Sequence, residues 1–300
     1  LGGVYNAPLA GMFFAVEILL VDVTLEKVAF GLGMSATAAF VATAIKGEHM
    51  FYDIGAMQMN STPSLMLFAL LCGTACGVVG ALFRKGSQWA ESHKPTGRSL
   101  MWQMPIAGLV TGLVSIVVPQ VMGNGRAAAQ LGFSTFIPET ADTSDAAQSA
   151  ASAAASPWTF LAGSDGAPGS VVNAGTPLEL NRLWMLLGVL ALTFVAKALV
   201  TLMTIRSGAS GGVLQPGIAL GSTLGTMLGL LWLFVFPVDS VTACALIGAA
   251  ALLSASQQAP LMAMCLVMEL TEAPFEFFVP VGMAVAASAF VSSGLLHRLG

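Results

Sequence analysis

Apolar residues run through this chain in long continuous stretches. Four of these stretches have roughly the 20 residues that an α-helix needs to cross the hydrocarbon core of a bilayer. They cover residues 27–46, 64–83, 99–122 and 183–205. The pattern therefore predicts a polytopic membrane protein whose spanning elements are helices.

Other apolar segments are short or are cut by glycine and proline. They cover residues 7–20, 217–236, 241–254, 260–270 and 277–296. Helices that stop partway through a bilayer are tolerated where irregular backbone is buried in protein or lines a wet cavity. We therefore expect an all-α fold with tilted, broken and re-entrant helices.

The composition agrees with a membrane setting. Of the 300 residues, 56% are apolar and 9% are Asp, Glu, Lys or Arg, whereas soluble domains have roughly 25% charged residues. The sequence has no basic patch of the kind that would indicate a nucleic-acid partner. Because the four cysteines lie in apolar runs, packing is a better interpretation than a disulfide or thiolate metal site.

Two polar connections divide the sequence. Residues 84–98 carry four basic residues against a single acid, and this excess predicts a cytoplasmic loop. Residues 123–182 contain an Ala/Ser-rich stretch of low complexity and are interpreted as an outer loop. On this interpretation residues 1–122 hold the rest of a first repeat and the start of a second, and residues 183–300 hold the second repeat's core.

A short internal repeat links the two ends of the chain. Residues 6–17 (NAPLAGMFFAVE) and 258–269 (QAPLMAMCLVME) share Ala, Pro, Leu, Met and Glu at the same offsets. In each copy the proline is expected to begin a helix, where its missing N–H costs nothing. Two matching half-helices far apart in a polytopic chain are typical of transporters built from inverted repeats.

Each copy of the repeat ends in a glutamate, Glu17 or Glu269. An ionised carboxylate is costly in hydrocarbon, so each is expected to face protein or water. One interpretation gives these acids a role in proton or ion handling. The other makes each a structural acid that is hydrogen-bonded to neighbouring helix ends. We favour the structural interpretation because both copies hold the residue, whereas only one could face a given proton exit.

The most informative stretch is SGASGGVLQPGIALGSTLG, residues 207–225. Its glycines let backbone turn sharply and approach a ligand, and Pro216 suits the first turn of the helix that follows. The amides just before the proline would then point their free N–H groups out of a helix N-terminus. Such an end carries about half a positive charge and binds anions. The residues concerned are Gly208, Gly211 and Gly212 and the amides near Val213, Leu214 and Gln215. A packing kink between helices explains the glycines equally well.

Lys197 lies about ten residues before this loop. Its charge would raise the potential along an anion path. Alternatively, its long side chain extends to the membrane interface. The sequence supports both interpretations equally.

These motifs together resemble the CLC family of chloride channels and chloride/proton antiporters. SGASGGVLQPGIALG resembles the family's GGxFxP ion-binding segment, and NAPLAGMFFAVE resembles the helix that follows its glutamate-gate motif. GAAALLSASQQAPLMAMCLVMELT resembles the family's C-terminal repeat, and PQVMGNG at 119–125 fits its outer loop. The matches run in family order from residue 2 to about residue 290, outside an insertion near 133–180.

The resemblance implies a homodimer in which each subunit has its own anion pathway, built from two inverted halves. It also implies that the backbone amides of Gly212, Val213, Leu214 and Gln215 coordinate the central anion. Position 214 is leucine where the motif has phenylalanine. Antiporter members with an internal proton glutamate have two consecutive acids where this chain has Glu17 and Ile18.

Three features of the family are expected to lie outside this chain, which we interpret as a C-terminal portion. They are the GREGP motif with the gating glutamate, the serine-bearing GSGIP motif, and the pore tyrosine, which would fall at or beyond Gly300.

The sequence thus predicts transport of chloride or a similar small anion across a bilayer, most simply the plasma (inner) membrane, as a channel or a proton-coupled antiporter. Two other classes remain: a cation or proton carrier that uses Glu17 and Glu269, and an intramembrane enzyme. Because the spanning segments lack Asp and His in their apolar cores, we expect no enzyme activity. No cofactor and no metal site is expected, and chloride enters only as substrate.

Overall fold

The computed structural model shows a chain whose regular elements, in the part that the structure describes, are all helices. The description covers residues 1–20, 24–47, 51–52, 54, 62–95, 99–134, 180–209, 211–233, 235–236 and 239–299. The Ala/Ser-rich stretch of the expected outer loop lies outside these residues. The predicted all-α fold is confirmed.

The described helices are numbered in chain order. They are α1 (Gly2–Tyr5), α2 (Pro8–Phe14), α3 (Leu25–Lys46), α4 (Pro63–Ser92), α5 (Ser99–Val117), α6 (Arg126–Ser134), α7 (Leu180–Arg206), α8 (Leu214–Trp232), α9 (Val241–Gln257), α10 (Pro260–Thr271) and α11 (Phe278–Leu299). A π-helical segment, Ala15–Leu20, continues α2, and 3₁₀ turns form at Pro119–Val121 and Phe275–Phe277.

The chain divides into two compact units. The first comprises Leu1–Asp53, Met59–Lys85 and Leu246–Gly300. In it α2 packs on both α3 and α10, and α10 also packs on α11. Small residues allow close approach: the backbone of α4 at Gly73 and Gly77 lies directly against α11, an arrangement common where membrane helices pack.

The second unit comprises Ile54–Gln58 and Gly86–Ala245. Helix α8 lies at its centre, because both α6 and α7 pack against it and most of its side chains are buried. Gly132 of α6 fits against Ser222 and Thr226 of α8, where a Cβ would lie 2.8 Å from the Thr226 hydroxyl oxygen. This unit therefore encloses the helix that follows the glycine-rich loop.

Three expectations about the apolar segments need correction. Two segments expected to be short or broken are long helices. Residues 217–232 of the segment 217–236 lie in Leu214–Trp232, and residues 277–296 lie in Phe275–Arg298, and both helices are long and apolar enough to span a membrane. The glycines of α8 are packing positions rather than breaks, since a Cβ on Gly229 would lie 2.5 Å from the Cys244 Cβ. Pro280 lies in the first turn of α11, where proline is tolerated.

The predicted span of residues 99–122 is shorter than expected. Helix α5 ends at Val117, and Val118 takes a non-helical conformation (φ −128°, ψ 82°) before Pro119, because a proline disfavours the helical conformation in the residue before it. The other long spans are Leu25–Lys46, Pro63–Ser92 and Leu183–Arg206, as the sequence predicts.

The polar connections also differ in part from expectation. Residues 84–92 belong to the end of α4 rather than to a loop, so the basic residues Arg84 and Lys85 lie on a helix. Within the expected outer loop, residues 126–134 form α6. The division into three sequence regions stays an interpretation.

Helix packing in the first unit makes one prediction about stability. A Cβ on Gly73 would lie 2.5 Å from the Ala284 carbonyl oxygen of α11 and 2.9 Å from its Cα. Gly73→Ala should therefore lower the free energy of unfolding by about 1–3 kcal/mol, since the backbones must separate. Denaturant titration in detergent micelles measures this change.

Gly294→Ala in α11 is the matched control, because nothing lies within 4 Å of the added Cβ. It should keep or slightly raise stability, since alanine has the higher helix propensity. Equal unfolding midpoints for the two variants would contradict the packing described here.

Candidate functional site

The two copies of the sequence repeat have the same backbone conformation. Asn6 and Gln258 are both left-handed, with φ of 52° and 57°. The alanines that follow, Ala7 and Ala259, have φ/ψ of −122°/81° and −134°/81°. Proline is then the first residue of α2 and of α10. The repeat predicted from the sequence is therefore a structural repeat, down to individual dihedral angles.

Each repeat glutamate binds the start of the other helix. The two carboxylate oxygens of Glu269, near the end of α10, accept hydrogen bonds from the N–H groups of Leu9 (2.9 Å) and Ala10 (2.8 Å) in α2. Those of Glu17, which follows α2, accept from Leu261 (3.1 Å) and Met262 (2.8 Å) in α10. Since the end of each helix lies beside the start of the other, α2 and α10 run antiparallel, as an inverted repeat requires.

This geometry is what the structural interpretation of Glu17 and Glu269 predicts. The first N–H groups of a helix have no partner within it, and a carboxylate there also gains from the helix dipole. All four carboxylate oxygens already accept backbone amides. Such an arrangement suits a structural cap better than a cation site, which would need these oxygens as ligands.

The start of α8 is built differently. Helix α8 begins at Leu214 and its N-cap is Val213, whose side chain has no oxygen to offer. Among the described residues, no group accepts a hydrogen bond from the N–H of Val213 or Leu214. Pro216 falls in the first turn, as expected, and the first hydrogen bond into the helix runs from the Gly217 N–H to the Val213 carbonyl (3.0 Å).

The glycine-rich loop leads into this end from an exposed position. Gly208 has a φ of 88°, which favours glycine. Gly211 and Gly212 are exposed, Val213 and Leu214 are half-buried, and the next residues of α8 are buried. Gly212 precedes the N-cap, so its amide lies just outside the helix, and no atom of the described residues lies within 4 Å of the Cβ that a side chain would add there. The loop therefore leaves open space before the uncapped amides.

Lys197 is buried, with 3% of its surface exposed. Its ammonium donates to the carbonyl oxygens of Val121 (2.9 Å) and Gly123 (2.8 Å). The interpretation in which it extends to the membrane interface is wrong, because these acceptors belong to the PQVMGNG segment and hold the side chain inside the second unit. The residues of this segment are functional candidates that sequence reasoning missed. The signal available in the sequence was its two glycines. In the structure these residues, Gly123 and Gly125, have positive φ of 70° and 105°.

The described residues hold no group of three His, Cys, Asp or Glu side chains that could bind a metal ion. Cys72 and Cys76 are free thiols with their sulfurs 3.8 Å apart inside α4.

Long apolar helices and an antiparallel inverted repeat are the features of a polytopic integral membrane protein. The profile of the voltage gated chloride channel family matches residues 1–293. The chain belongs to this family, and the resemblance inferred from its motifs is confirmed.

Two kinds of curated relative are similar to this chain. It is 27% identical over 284 residues to an H(+)/Cl(−) exchange transporter ClcA from Yersinia pestis, covering 91% of this chain and 48% of the relative. It is 27% identical over 285 residues to a voltage-gated ClC-type chloride channel ClcB from Salmonella typhimurium, covering 90% of this chain and 54% of the relative. The chain thus spans about half the length of the curated relatives it matches.

Solved structures show the same fold. A slow cyanobacterial Cl⁻/H⁺ antiporter matches 98% of this chain and 61% of its own with a TM-score of 0.68 and 20% identity. A CLC-type fluoride/proton antiporter matches 98% of this chain and 60% of its own with a TM-score of 0.65 and 18% identity. These similarities confirm the CLC-type helical fold.

The reciprocal caps predict how the glutamates respond to substitution. Glu17→Ala and Glu269→Ala should each lower the free energy of unfolding by on the order of 2 kcal/mol, because two amides lose a charged acceptor. The Gln variants should lose less, since one amide oxygen still accepts. Thermal or denaturant unfolding in micelles measures the series, and Glu276→Gln, at an exposed acid, is the control.

If the acids are structural, the Gln variants leave the pH dependence of transport unchanged. A Glu17→Gln protein with wild-type stability and an altered pH profile of proton flux would favour proton handling instead.

Proposed function

We propose that this chain carries chloride or a similar small anion across a lipid bilayer, and that the anion binds at the start of α8. One contrast carries the proposal. Helices α2 and α10 receive a carboxylate of the protein at their first turns, whereas the N–H groups of Val213 and Leu214 meet no acceptor among the described residues and lie next to exposed glycines. Membership of the chloride channel family supports the same substrate class.

The binding groups in this proposal are the amides of Gly212, Val213, Leu214 and Gln215, with Gly208, Gly211 and Pro216 shaping the loop. Backbone dipoles attract an anion with only a fraction of a unit charge. Transport requires such moderate binding, because the ion must leave as readily as it enters. The likeness to chloride and fluoride carriers supports a halide.

The setting of the protein is part of the proposal. We place it in the plasma membrane as a homodimer, with the basic end of α4 and residues 93–98 on the cytoplasmic side, as the positive-inside rule suggests. Many apolar side chains of α3 and α5 are exposed and suit contact with lipid or with a second copy. The proposed role is transport, with no enzymatic activity and no cofactor.

A tethered anion tests the binding site. A side chain at Gly212 has open space, so Gly212→Asp should fold normally and place a carboxylate near the α8 amides. We expect it to weaken chloride or bromide binding at least about tenfold, equivalent to about 1.4 kcal/mol, in calorimetric titration. Gly212→Ala is the control and should bind within about twofold of wild type.

Equal halide affinities for Gly212→Asp, Gly212→Ala and the wild-type protein would refute the site. Binding that is lost equally in both variants would show that the loop conformation, rather than the amides, matters.

Flux measurements decide between channel and antiporter. The protein is reconstituted in liposomes with a chloride gradient and a pH indicator inside. Chloride movement that drives protons uphill identifies an antiporter, and chloride movement without it identifies a channel. Sodium or potassium flux without chloride flux would refute the proposed substrate class and favour a cation carrier.

A further inference from the structure

We propose that Lys197 is a positioning residue for the anion site. On this proposal its ammonium fixes the glycine turn at residues 121–125 against the start of α8, and this turn sets where the α8 amides point. The inference deepens the proposed function and rests on it, because Lys197 affects transport only if the anion binds at the start of α8. Its structural part, a lysine that holds a turn and a helix start together, is tested separately below.

The ammonium is hydrogen-bonded to the turn. Lys197 is nearly inaccessible, and two of its three N–H donors are used by the carbonyl oxygens of Val121 and Gly123. The structure describes no salt bridge to this lysine among the residues it covers. A buried charge is costly unless it is hydrogen-bonded, so the turn and the lysine depend on each other.

This glycine turn also contacts the start of α8. Gly125 has a φ of 105° and lies between the lysine stem and the helix. A Cβ on Gly125 would be 3.0 Å from the Ala219 Cβ, 3.1 Å from the Lys197 Cε and 3.4 Å from the Gln215 carbonyl oxygen. Lysine, turn and first turns of α8 therefore form one packed junction with no room for a side chain.

This junction contacts α8 next to the proposed anion site and so constrains the position of the helix start. Gln215 and Ala219 are buried in the first turns of α8, and Val213 and Leu214 directly precede and begin the same helix. A displacement of the turn acts on the Gln215 carbonyl and on Ala219, so it tilts the helix start that carries the amides. The lysine affects the site through contact as well as through its charge.

Two substitutions separate contact from charge. Lys197→Met keeps the length of the stem but removes both hydrogen bonds and the charge, whereas Gly125→Ala keeps the charge and disturbs the junction. If Lys197 acts by positioning, both variants should weaken halide binding about tenfold in calorimetric titration, or about 1.4 kcal/mol. If it acts only by charge, Gly125→Ala should bind like wild type. Gly188→Ala, with open space around the added Cβ, is the control on α7.

Amide hydrogen exchange tests the junction without reference to transport. The reporters are the Gly217 N–H, bonded to the Val213 carbonyl, and the Val121 N–H, bonded to the Val118 carbonyl. In Lys197→Met and Gly125→Ala both should exchange at least about tenfold faster. The Ala263 N–H at the start of α10, bonded to the Ala259 carbonyl, should be unchanged.

Each outcome bears on the proposal. Unchanged exchange at Gly217 in both variants overturns it, and so does a loss of halide affinity confined to Lys197→Met. If Lys197→Met does not fold, Gly125→Ala decides the question alone. A wild-type protein that binds no halide would refute the proposed function, while the exchange rates would still support or overturn the positioning role.

Discussion

The structure depends on how the first amides of its helices find acceptors where water is scarce. An α-helix leaves its first N–H groups without internal partners, and in an apolar medium each unsatisfied group costs several kcal/mol. Helices α2 and α10 meet this requirement with Glu269 and Glu17. At the start of α8 the N–H groups of Val213 and Leu214 find no acceptor in the part of the chain that the structure describes. The same constraint therefore stabilises two helix ends with the protein's own carboxylates, and the proposed function gives the third end an anion as its acceptor.

The exchange of caps between α2 and α10 explains why the repeat keeps its glutamates. A carboxylate nine residues after a proline points away from the start of its own helix and reaches the start of an antiparallel neighbour. Each helix consequently needs the other copy to satisfy its first turn. The left-handed residues Asn6 and Gln258 bring the chain into each helix at the same angle, so both caps have equivalent geometry. The pairing of the two copies is thus enforced by hydrogen bonds as well as by packing.

Periodic and local features of this structure were predictable, and contacts between distant segments were not. The position of proline at the start of α2 and α10 could be predicted from its missing N–H. The internal repeat could be predicted from identical residues at the same offsets in the two segments. The partners of Glu17 and Glu269 could only be described as neighbouring helix ends, because spacing along one helix does not identify the facing one. The glycines of α8 looked like breaks because a sequence does not show that Gly229 packs on Cys244. The sequence left the role of Lys197 open between two interpretations for the same reason, since its acceptors lie more than 70 residues away.

The use of Lys197 also bears on how strongly an anion is held. A lysine that contacted the ion directly would form a charged hydrogen bond, which is roughly twice as strong as a neutral one, and would slow release. Here the ammonium is bound to two carbonyls, and Gly125 lies between the lysine stem and α8. In the proposed site its charge would therefore act at a distance, and the groups nearest the ion would be neutral amides. A buried cation that supports such a site without ligating the ion would reconcile attraction with rapid exit.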